Sequence, residues 1–215
     1  MGHRYRRRIY VGFALLLIGG VTTASAQGFD CWSRKPPAIA LSGGISSAYL
    51  EPAVALDREE PNSSVTVGSG PHVAARAEMP VAGPIRFHLE AARSQWRVRR
   101  KVYDPAAGHA LTSDGSIGSI SDRSLMGMIG IRFPWKGICT NVAVGGGLHS
   151  TSFRDSSYYS PSYGLQAGLE FPAGARGMLQ LGIDLHVINS RSWKTIATSS
   201  EVLTMKAGIG WAYRF

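Results

Sequence analysis

The sequence predicts an eight-stranded, antiparallel, up-and-down transmembrane β-barrel, and three observations support this prediction. The chain opens with a segment typical of export, its remainder contains eight segments that alternate between apolar and polar residues, and the linkers between these segments alternate between long and short. A β-strand places residues i, i+2 and i+4 on one face. An alternation with period two therefore indicates strands that have one apolar face and one polar face.

The N-terminal segment has the pattern of a cleaved secretory signal peptide. A run of arginines precedes an apolar stretch that ends at Val21, and Ala24-Ser25-Ala26 supplies the small residues of a cleavage site. The apolar stretch is shorter than the about 20 residues that a membrane-spanning helix needs, which argues against an anchor. We expect a signal peptide over 1–26, a periplasmic N-terminal tail over 27–37 and a barrel over 38–215, exported to the bacterial outer membrane.

The eight segments follow in order, the first with the weakest alternation and the last with the strongest. Each is close to the 9–11 residues or so that a tilted membrane strand needs. In chain order, the apolar faces carry Ile39, Leu41 and Ile45; Val73, Ala75, Ala77 and Met79; Ile85, Phe87, Leu89 and Ala91; Leu125, Ile129, Ile131 and Phe133; Val142, Val144 and Leu148; Tyr163, Leu165, Ala167, Leu169 and Phe171; Leu179, Leu181, Ile183, Leu185 and Val187; and Leu203, Met205, Ala207, Ile209, Trp211, Tyr213 and Phe215.

The linkers give an independent indication of the same fold. Outer-membrane barrels have short periplasmic turns and longer extracellular loops. We expect long loops over Leu50–Ser69, Val98–Asp122, Ser152–Pro161 and Ser190–Glu201, and short turns over Val81–Pro84, Pro134–Gly137 and Pro172–Arg176. An even number of strands then places both termini of the mature chain in the periplasm.

The apolar faces should contact lipid, because every backbone group in a membrane must find its partner within a closed barrel. Aromatic residues should gather where the strands meet the two interfaces. We expect Tyr49, Trp96 and Trp193 near the extracellular interface, and Phe133, Trp135, Phe171, Trp211, Tyr213 and Phe215 near the periplasmic one. A soluble barrel that binds an apolar ligand is the alternative that alternation by itself leaves open.

The last six residues, Gly210-Trp211-Ala212-Tyr213-Arg214-Phe215, resemble the closing strand of outer-membrane barrels, with alternating aromatic residues and a terminal Phe. The length and the number of segments resemble the small OmpA/OmpX-like barrels, a group described as an outer membrane β-barrel domain. The resemblance implies that Trp211, Tyr213 and Phe215 form the signal that the barrel-assembly machinery recognises. It covers the whole mature chain as a pattern rather than as residue motifs.

The polar faces should point into the lumen, which in an eight-stranded barrel is just wide enough for side chains to fill. Both signs of charge occur there, and buried charges are costly unless they are paired. Glu78 with Arg86, and Asp184 with Lys206, are expected to be near neighbours. The predicted lumen network comprises Arg76, Glu78, Arg86, His88, Glu90, Arg132, Glu170, Asp184, His186, Lys206 and Arg214.

The sequence favours a non-enzymatic protein with a structural or surface-binding role, and a narrow ion-conducting pore is the alternative. A lipid-A-modifying enzyme is less favoured: the best nucleophile candidate, His149-Ser150-Thr151-Ser152, places His149 and Ser150 on opposite faces of a strand. The remaining histidines are scattered singly, so no metal site and no cofactor are predicted, and the barrel is expected to be a monomer. The charge, formally +9, is spread along the chain and partly lies in the signal peptide, which does not indicate nucleic-acid binding.

Two further expectations concern the ends of the barrel. The first is a contact with lipopolysaccharide at the extracellular end of the third segment, where four basic residues cluster: Arg97, Arg99, Arg100 and Lys101. Lipopolysaccharide phosphates lie at that height, and arginine pairs bidentately with phosphate. The alternative is that the cluster is only a solvated loop edge.

The two cysteines are expected to form a disulfide. Cys31 lies in the N-terminal tail and Cys139 starts the fifth segment on the inward parity. A tail of seven extended residues reaches about 23 Å, at ~3.3 Å per residue, which is enough to cross the periplasmic opening.

Overall fold

In a computed structural model, the chain forms a closed ring of eight antiparallel strands, with a ninth, short strand beside it. The structure describes residues 37–50, 63–104, 106, 110–135, 138–173, 176–193, 197 and 200–215. The predicted signal peptide and N-terminal tail, apart from residue 37, lie outside these residues. The strands are β1 Ala38–Tyr49, β2 Ser63–Val67, β3 Gly70–Ala82, β4 Ile85–Asp104, β5 Ala110–Trp135, β6 Ile138–Phe153, β7 Ser156–Pro172, β8 Gly177–Asn189 and β9 Glu201–Arg214.

The ring follows the order of the chain. Each strand pairs with its successor from β3 to β9, β9 pairs with β1 from Ala38↔Arg214 to Tyr49↔Leu203, and β1 pairs with β3. Strand β2 pairs with residues Val98 to Val102 of β4. It is antiparallel to β4, as β3 is, so that β2 and β3 act as one interrupted strand. All eight predicted segments lie within strands of the ring, apart from the last residue, Phe215. No helix of the described residues is long and apolar enough to cross a membrane.

Burial is inverted relative to a soluble protein. The outer face exposes large apolar side chains, such as Leu41 at 65% and Ile209 at 60%, whereas the interior buries charged ones, such as Glu90 at 0%. This distribution is that of a barrel whose outer surface contacts lipid. It also argues against the soluble alternative, which would bury the apolar face around a ligand.

The two ends of the barrel differ, and we call them the short-turn end and the long-loop end. The short-turn end has turns as tight as Gly83-Pro84, with Gly83 at a φ of 51°. The long-loop end carries the connections from β1 to β2, from β4 to β5 and from β8 to β9, and also the two-residue turn from β6 to β7 at Arg154-Asp155. These ends correspond to the predicted periplasmic and extracellular sides.

Two of the predicted long loops are wrong in extent, because most of their residues are strand. The ladder between β4 and β5 continues to Asp104↔Ala110, and the one between β6 and β7 continues to Phe153↔Ser156 around Arg154 and Asp155. The apolar alternation that marks a membrane strand stops at the membrane edge. Backbone hydrogen bonds do not need it and extend the strands into water.

A row of glycines crosses four neighbouring strands in register, as Gly44↔Gly208, Gly208↔Gly182 and Gly182↔Gly168. A Cβ atom at Gly44 would overlap the carbonyl oxygen of Ala207, whereas one at the adjacent Gly43 would lie 3.7 Å from its nearest neighbour. Strands β1 and β9, whose pairing closes the ring, therefore approach each other at Gly44 in a way that only glycine permits.

Candidate functional site in the barrel lumen

The predicted lumen residues all point inward. Nine of the eleven are buried, and the other two, Arg76 and Arg214, are partly buried. The strands position them by parity alone, since every second residue of a strand faces the interior. The residues lie at three levels along the barrel axis, and Arg76 links the lower two levels, since its Nη1 atom lies 4.0 Å from Oε1 of Glu78.

At the short-turn end, one arginine joins two acids. The Nη2 atom of Arg132 lies 2.7 Å from Oε2 of Glu78 and 2.8 Å from Oε1 of Glu170. Asn141 donates to the same Glu170 oxygen at 2.9 Å, and Gln180 donates to both carboxylates at 3.3 Å. Strands β3, β5, β6, β7 and β8 are thereby cross-linked through the lumen. We call Arg132, Glu78 and Glu170 the ion bridge.

At the middle level, Arg76 binds Glu90 across β3 and β4 with a nitrogen–oxygen distance of 2.8 Å. Of the two predicted neighbour pairs, Asp184 and Lys206 do face each other in register. Each nevertheless forms its hydrogen bond with a different residue: Asp184 accepts from Gln166 Nε2 at 2.6 Å, and Lys206 donates to Ser124 at 3.1 Å.

The other predicted neighbours, Glu78 and Arg86, lie on a diagonal rather than directly opposite each other. Glu78 lies opposite His88, and Arg86 lies opposite Pro80, two residues further toward the turn. Glu78 binds Arg132 from across the lumen instead. Arg214, at the end of β9, directs its Nη2 toward the sulfur of Met178.

Above these levels, a chain of hydrogen bonds runs from β5 to β8. The carboxylate of Asp122 contacts Nδ1 of His149 at 2.9 Å and accepts from Thr151 at 2.8 Å. His149 Nε2 lies 3.3 Å from His186 Nδ1, with the two rings edge to face. All four side chains are buried. Ser150 faces outward, as predicted, so it takes no part in this chain.

The long-loop end of the lumen is closed by hydrophobic side chains, which we call the apolar plug. It consists of Ala48, Val65, Trp96, Val98, Ile120, Phe153, Ile188, Trp193, Ala197 and Val202. Trp96 and Trp193 are fully buried, and their indole nitrogens donate to Ser46 at 3.0 Å and Ser160 at 2.9 Å. The prediction that both tryptophans belong to the outer aromatic girdle is therefore wrong.

The two tryptophans point inward for different reasons: Trp193 because of the fold of the loop from β8 to β9, and Trp96 because of its parity on β4. The loop turns inward at Ser190, whose carbonyl accepts from the Trp193 backbone N–H at 2.7 Å. On β4, Trp96 shares the inward parity of Glu90 and Ser94. Tyr49, by contrast, is exposed on the outside at 59%.

The polar part of the lumen contains a small cavity. A cavity of about 30 Å³ lies between the ion bridge and the histidine level, beside the glycine row. Its walls include Ser42, His72, Arg76, Gln166 and Asp184. A cavity of this size holds one or two water molecules.

Sequence reasoning missed Asp122, which it placed at the end of a loop. The signal was present, because Asp122 continues the inward parity of Ser124, Met126 and Met128. It also missed the neutral partners Asn141, Gln166 and Gln180. Among the described residues, no three His, Cys, Asp or Glu side chains are arranged to hold a metal ion.

The remaining predicted residues lie as follows. Trp211 and Tyr213 are exposed on the outer face of β9 toward the short-turn end, and Phe215, directly after β9, is also exposed. Cys139 is buried and is not a free thiol, while Cys31 lies outside the described residues, so their pairing stays a prediction.

The basic cluster of β4 does not form one surface. Arg97 and Arg99 are exposed on the outer face, and Arg99 binds Asp114 at 3.1 Å. Arg100 has the opposite parity and is partly buried. Lys101 shares the parity of Arg97 and Arg99 but is also partly buried.

Comparison with solved structures places this architecture among known folds. The structure resembles Neisserial surface protein A, with a TM-score of 0.55 and 13% sequence identity over 83% of this chain and 97% of that protein. It also resembles the outer membrane protein OprG from Pseudomonas aeruginosa, with a TM-score of 0.53 and 13% identity over 85% of this chain and 97% of that protein. No protein-family model matches the chain, and no curated protein sequence does. At this identity the likeness shows the fold, that of the small outer-membrane β-barrels.

Proposed function

We propose that this chain is a non-enzymatic barrel of the bacterial outer membrane, with a lumen closed to ions and a long-loop end that binds lipopolysaccharide. The exposed apolar band supports the membrane location, because large apolar side chains cover most of the outer face of the strands. In this proposal residues 1–26 direct export, the terminal strand β9 is recognised by the barrel-assembly machinery, and the barrel works as a monomer.

The closed lumen is supported by two groups of side chains, the apolar plug and the ion bridge, which block the barrel axis at opposite ends. The apolar plug removes water from the long-loop end, and an ion that enters it loses its hydration without finding polar partners. The ion bridge fills the short-turn end, where one guanidinium is held between two carboxylates at 2.7 and 2.8 Å. The lumen contents thus support a structural role, in which polar contacts replace a hydrophobic core.

Planar-bilayer recording of the refolded mature chain tests this closure. We expect no discrete conductance steps from the wild-type protein. Steps that change in size with Arg132→Ala or Glu170→Gln would instead favour a narrow pore. Asp114→Asn is the matched control, because Asp114 is also an acid bound to an arginine but lies on the outer face of the β4–β5 ribbon.

Lipopolysaccharide binding is the second part of the proposal, and the exposed Arg97 and Arg99 support it. Replacing Arg97, Arg99, Arg100 and Lys101 together with glutamine should lower the lipopolysaccharide that co-purifies with the barrel. Unchanged lipid per barrel would reject a role for this cluster. Mass spectrometry of lipid A from cells that overproduce the chain tests the enzymatic alternative, and we expect lipid A of unchanged mass.

A further inference from the structure

Two arginines outside the predicted basic cluster face each other on the outer wall of the barrel. Arg93 of β4 and Arg123 of β5 are direct partners in the ladder between these strands. Both side chains are exposed and share the outward parity of Leu89 and Leu125. Side chains that lie opposite each other on one face of an antiparallel pair have Cβ atoms about 4.5–5.5 Å apart.

This arrangement is unfavourable as it stands. Like charges that lie directly opposite each other destabilise a strand pair. Within the described residues, neither arginine forms an ion pair with an acid, whereas Arg99 on the same face binds Asp114 at 3.1 Å. The other neighbours of the two arginines across the ladders are Val73 on β3 and Ser150 on β6, which carry no charge. An anion between the two guanidinium groups would remove the repulsion.

The position of the pair along the barrel indicates which anion. One step toward the short-turn end, the outer face is apolar, with Ala91 opposite Leu125 and Leu125 opposite Leu148. One step toward the long-loop end it is polar, with Gln95 opposite Ser121. The arginines therefore lie at the boundary between the band that contacts hydrocarbon and the part that contacts water, which is the level of lipid headgroups.

We propose that Arg93 and Arg123 form a clamp for a phosphate group of an outer-leaflet lipid. Two planar guanidinium groups offer parallel N–H pairs that fit the oxygens of one phosphate, and each such bond is charge-assisted. The phosphate screens the two positive charges from each other, and the acyl chains of the lipid lie along the apolar band below. This inference rests on the proposed location in the outer membrane and names a site for the lipopolysaccharide binding proposed above.

The test compares wild type, Arg93→Gln, Arg123→Gln and the double variant with one control variant. Arg191→Gln is the matched control, because Arg191 is an exposed arginine in the connection from β8 to β9, far around the ring. The mature barrel is refolded in detergent, and its fold is checked by the shift in electrophoretic mobility on heating. Binding is then titrated with three probes: lipopolysaccharide, enzymatically dephosphorylated lipopolysaccharide and inorganic phosphate.

We expect the affinity for lipopolysaccharide to fall at least tenfold in the double variant, with a smaller fall in each single variant and none in Arg191→Gln. Dephosphorylated lipopolysaccharide should bind wild type at least as weakly as the double variant binds the intact lipid, and millimolar inorganic phosphate should compete only weakly. Undiminished binding by the double variant, an equal loss in Arg191→Gln, or full binding of the dephosphorylated lipid would each overturn the clamp. Tight binding of inorganic phosphate would overturn the lipid as its ligand.

Two results separate the clamp from the lipid binding proposed for the long-loop end. A wild-type barrel that binds no lipopolysaccharide at all would refute the lipid binding proposed for the long-loop end. A wild type that binds it, with a double variant that binds equally well, would refute the clamp alone.

Discussion

Replacing the buried Arg132 should destabilise the barrel more than replacing any of its exposed arginines. Arg132→Met keeps the length of the side chain but removes the cation between Glu78 and Glu170, which are 3% and 0% exposed. Removing one partner of a buried ion pair costs about 3–5 kcal/mol, because the other charge stays buried. Here two carboxylates lose Arg132 at once, but Arg76 still lies 4.0 Å from Glu78, and Asn141 and Gln180 still donate to the carboxylates. We therefore expect a loss within this range rather than above it.

The assay is reversible urea unfolding of the mature barrel in lipid vesicles, followed by tryptophan fluorescence. Trp96 and Trp193 are fully buried in the apolar plug and report its opening. With a slope of about 2 kcal/mol per M urea, the unfolding midpoint should fall by about 1.5–2.5 M. Arg99→Gln is the control, because its bond to Asp114 at 3.1 Å is largely exposed, and such pairs contribute about 0–1 kcal/mol.

A second variant separates the cost of buried charge from the cost of lost packing. The triple variant Glu78→Gln/Arg132→Met/Glu170→Gln removes all three charges and leaves polar amides that Asn141 and Gln180 can still contact. Replacing a complete buried ion pair by neutral groups is often close to neutral. The triple variant should therefore recover most of the stability that Arg132→Met loses. An Arg132→Met barrel within about 1 kcal/mol of Arg99→Gln, or a triple variant less stable than Arg132→Met, would refute the reasoning.

Three further predictions concern the glycine row, the outer face of β9 and the two cysteines. Gly44→Ala should slow folding and lower stability by about 1–3 kcal/mol through overlap with the backbone of β9, whereas Gly43→Ala should be tolerated; equal urea midpoints would contradict this. Ile209→Arg, on the outer face, should cost about 2–4 kcal/mol if the residue lies near the bilayer midplane, with Ile209→Leu as the control; equal yields of folded barrel would argue against the assigned faces. Cys31 and Cys139 should form a disulfide that stabilises the barrel by up to roughly 4–5 kcal/mol; two thiols labelled under non-reducing electrophoresis would exclude it.

The sequence alone predicts most of the fold, because one physical requirement repeats along every membrane strand. Lipid outside and polar groups inside impose an alternation with period two, and this alternation located all eight strands of the ring, including the weak β1. It also gave the direction of each side chain, so that the predicted lumen residues do point inward. The requirement ends at the membrane edge, and for this reason the sequence predicts a loop over Val98–Asp104, where the structure has strand.

The tertiary structure decided how the inward side chains meet. Parity places a residue in the lumen, but its partner depends on strand register and on the far wall of the barrel. Arg132 thus binds Glu78 from β3 and Glu170 from β7 rather than a neighbour in sequence. The same holds for Trp193, whose position in the apolar plug depends on how the loop from β8 to β9 folds back. Local alternation determined the faces of the wall, and only closure of the ring determined which side chains meet across the lumen.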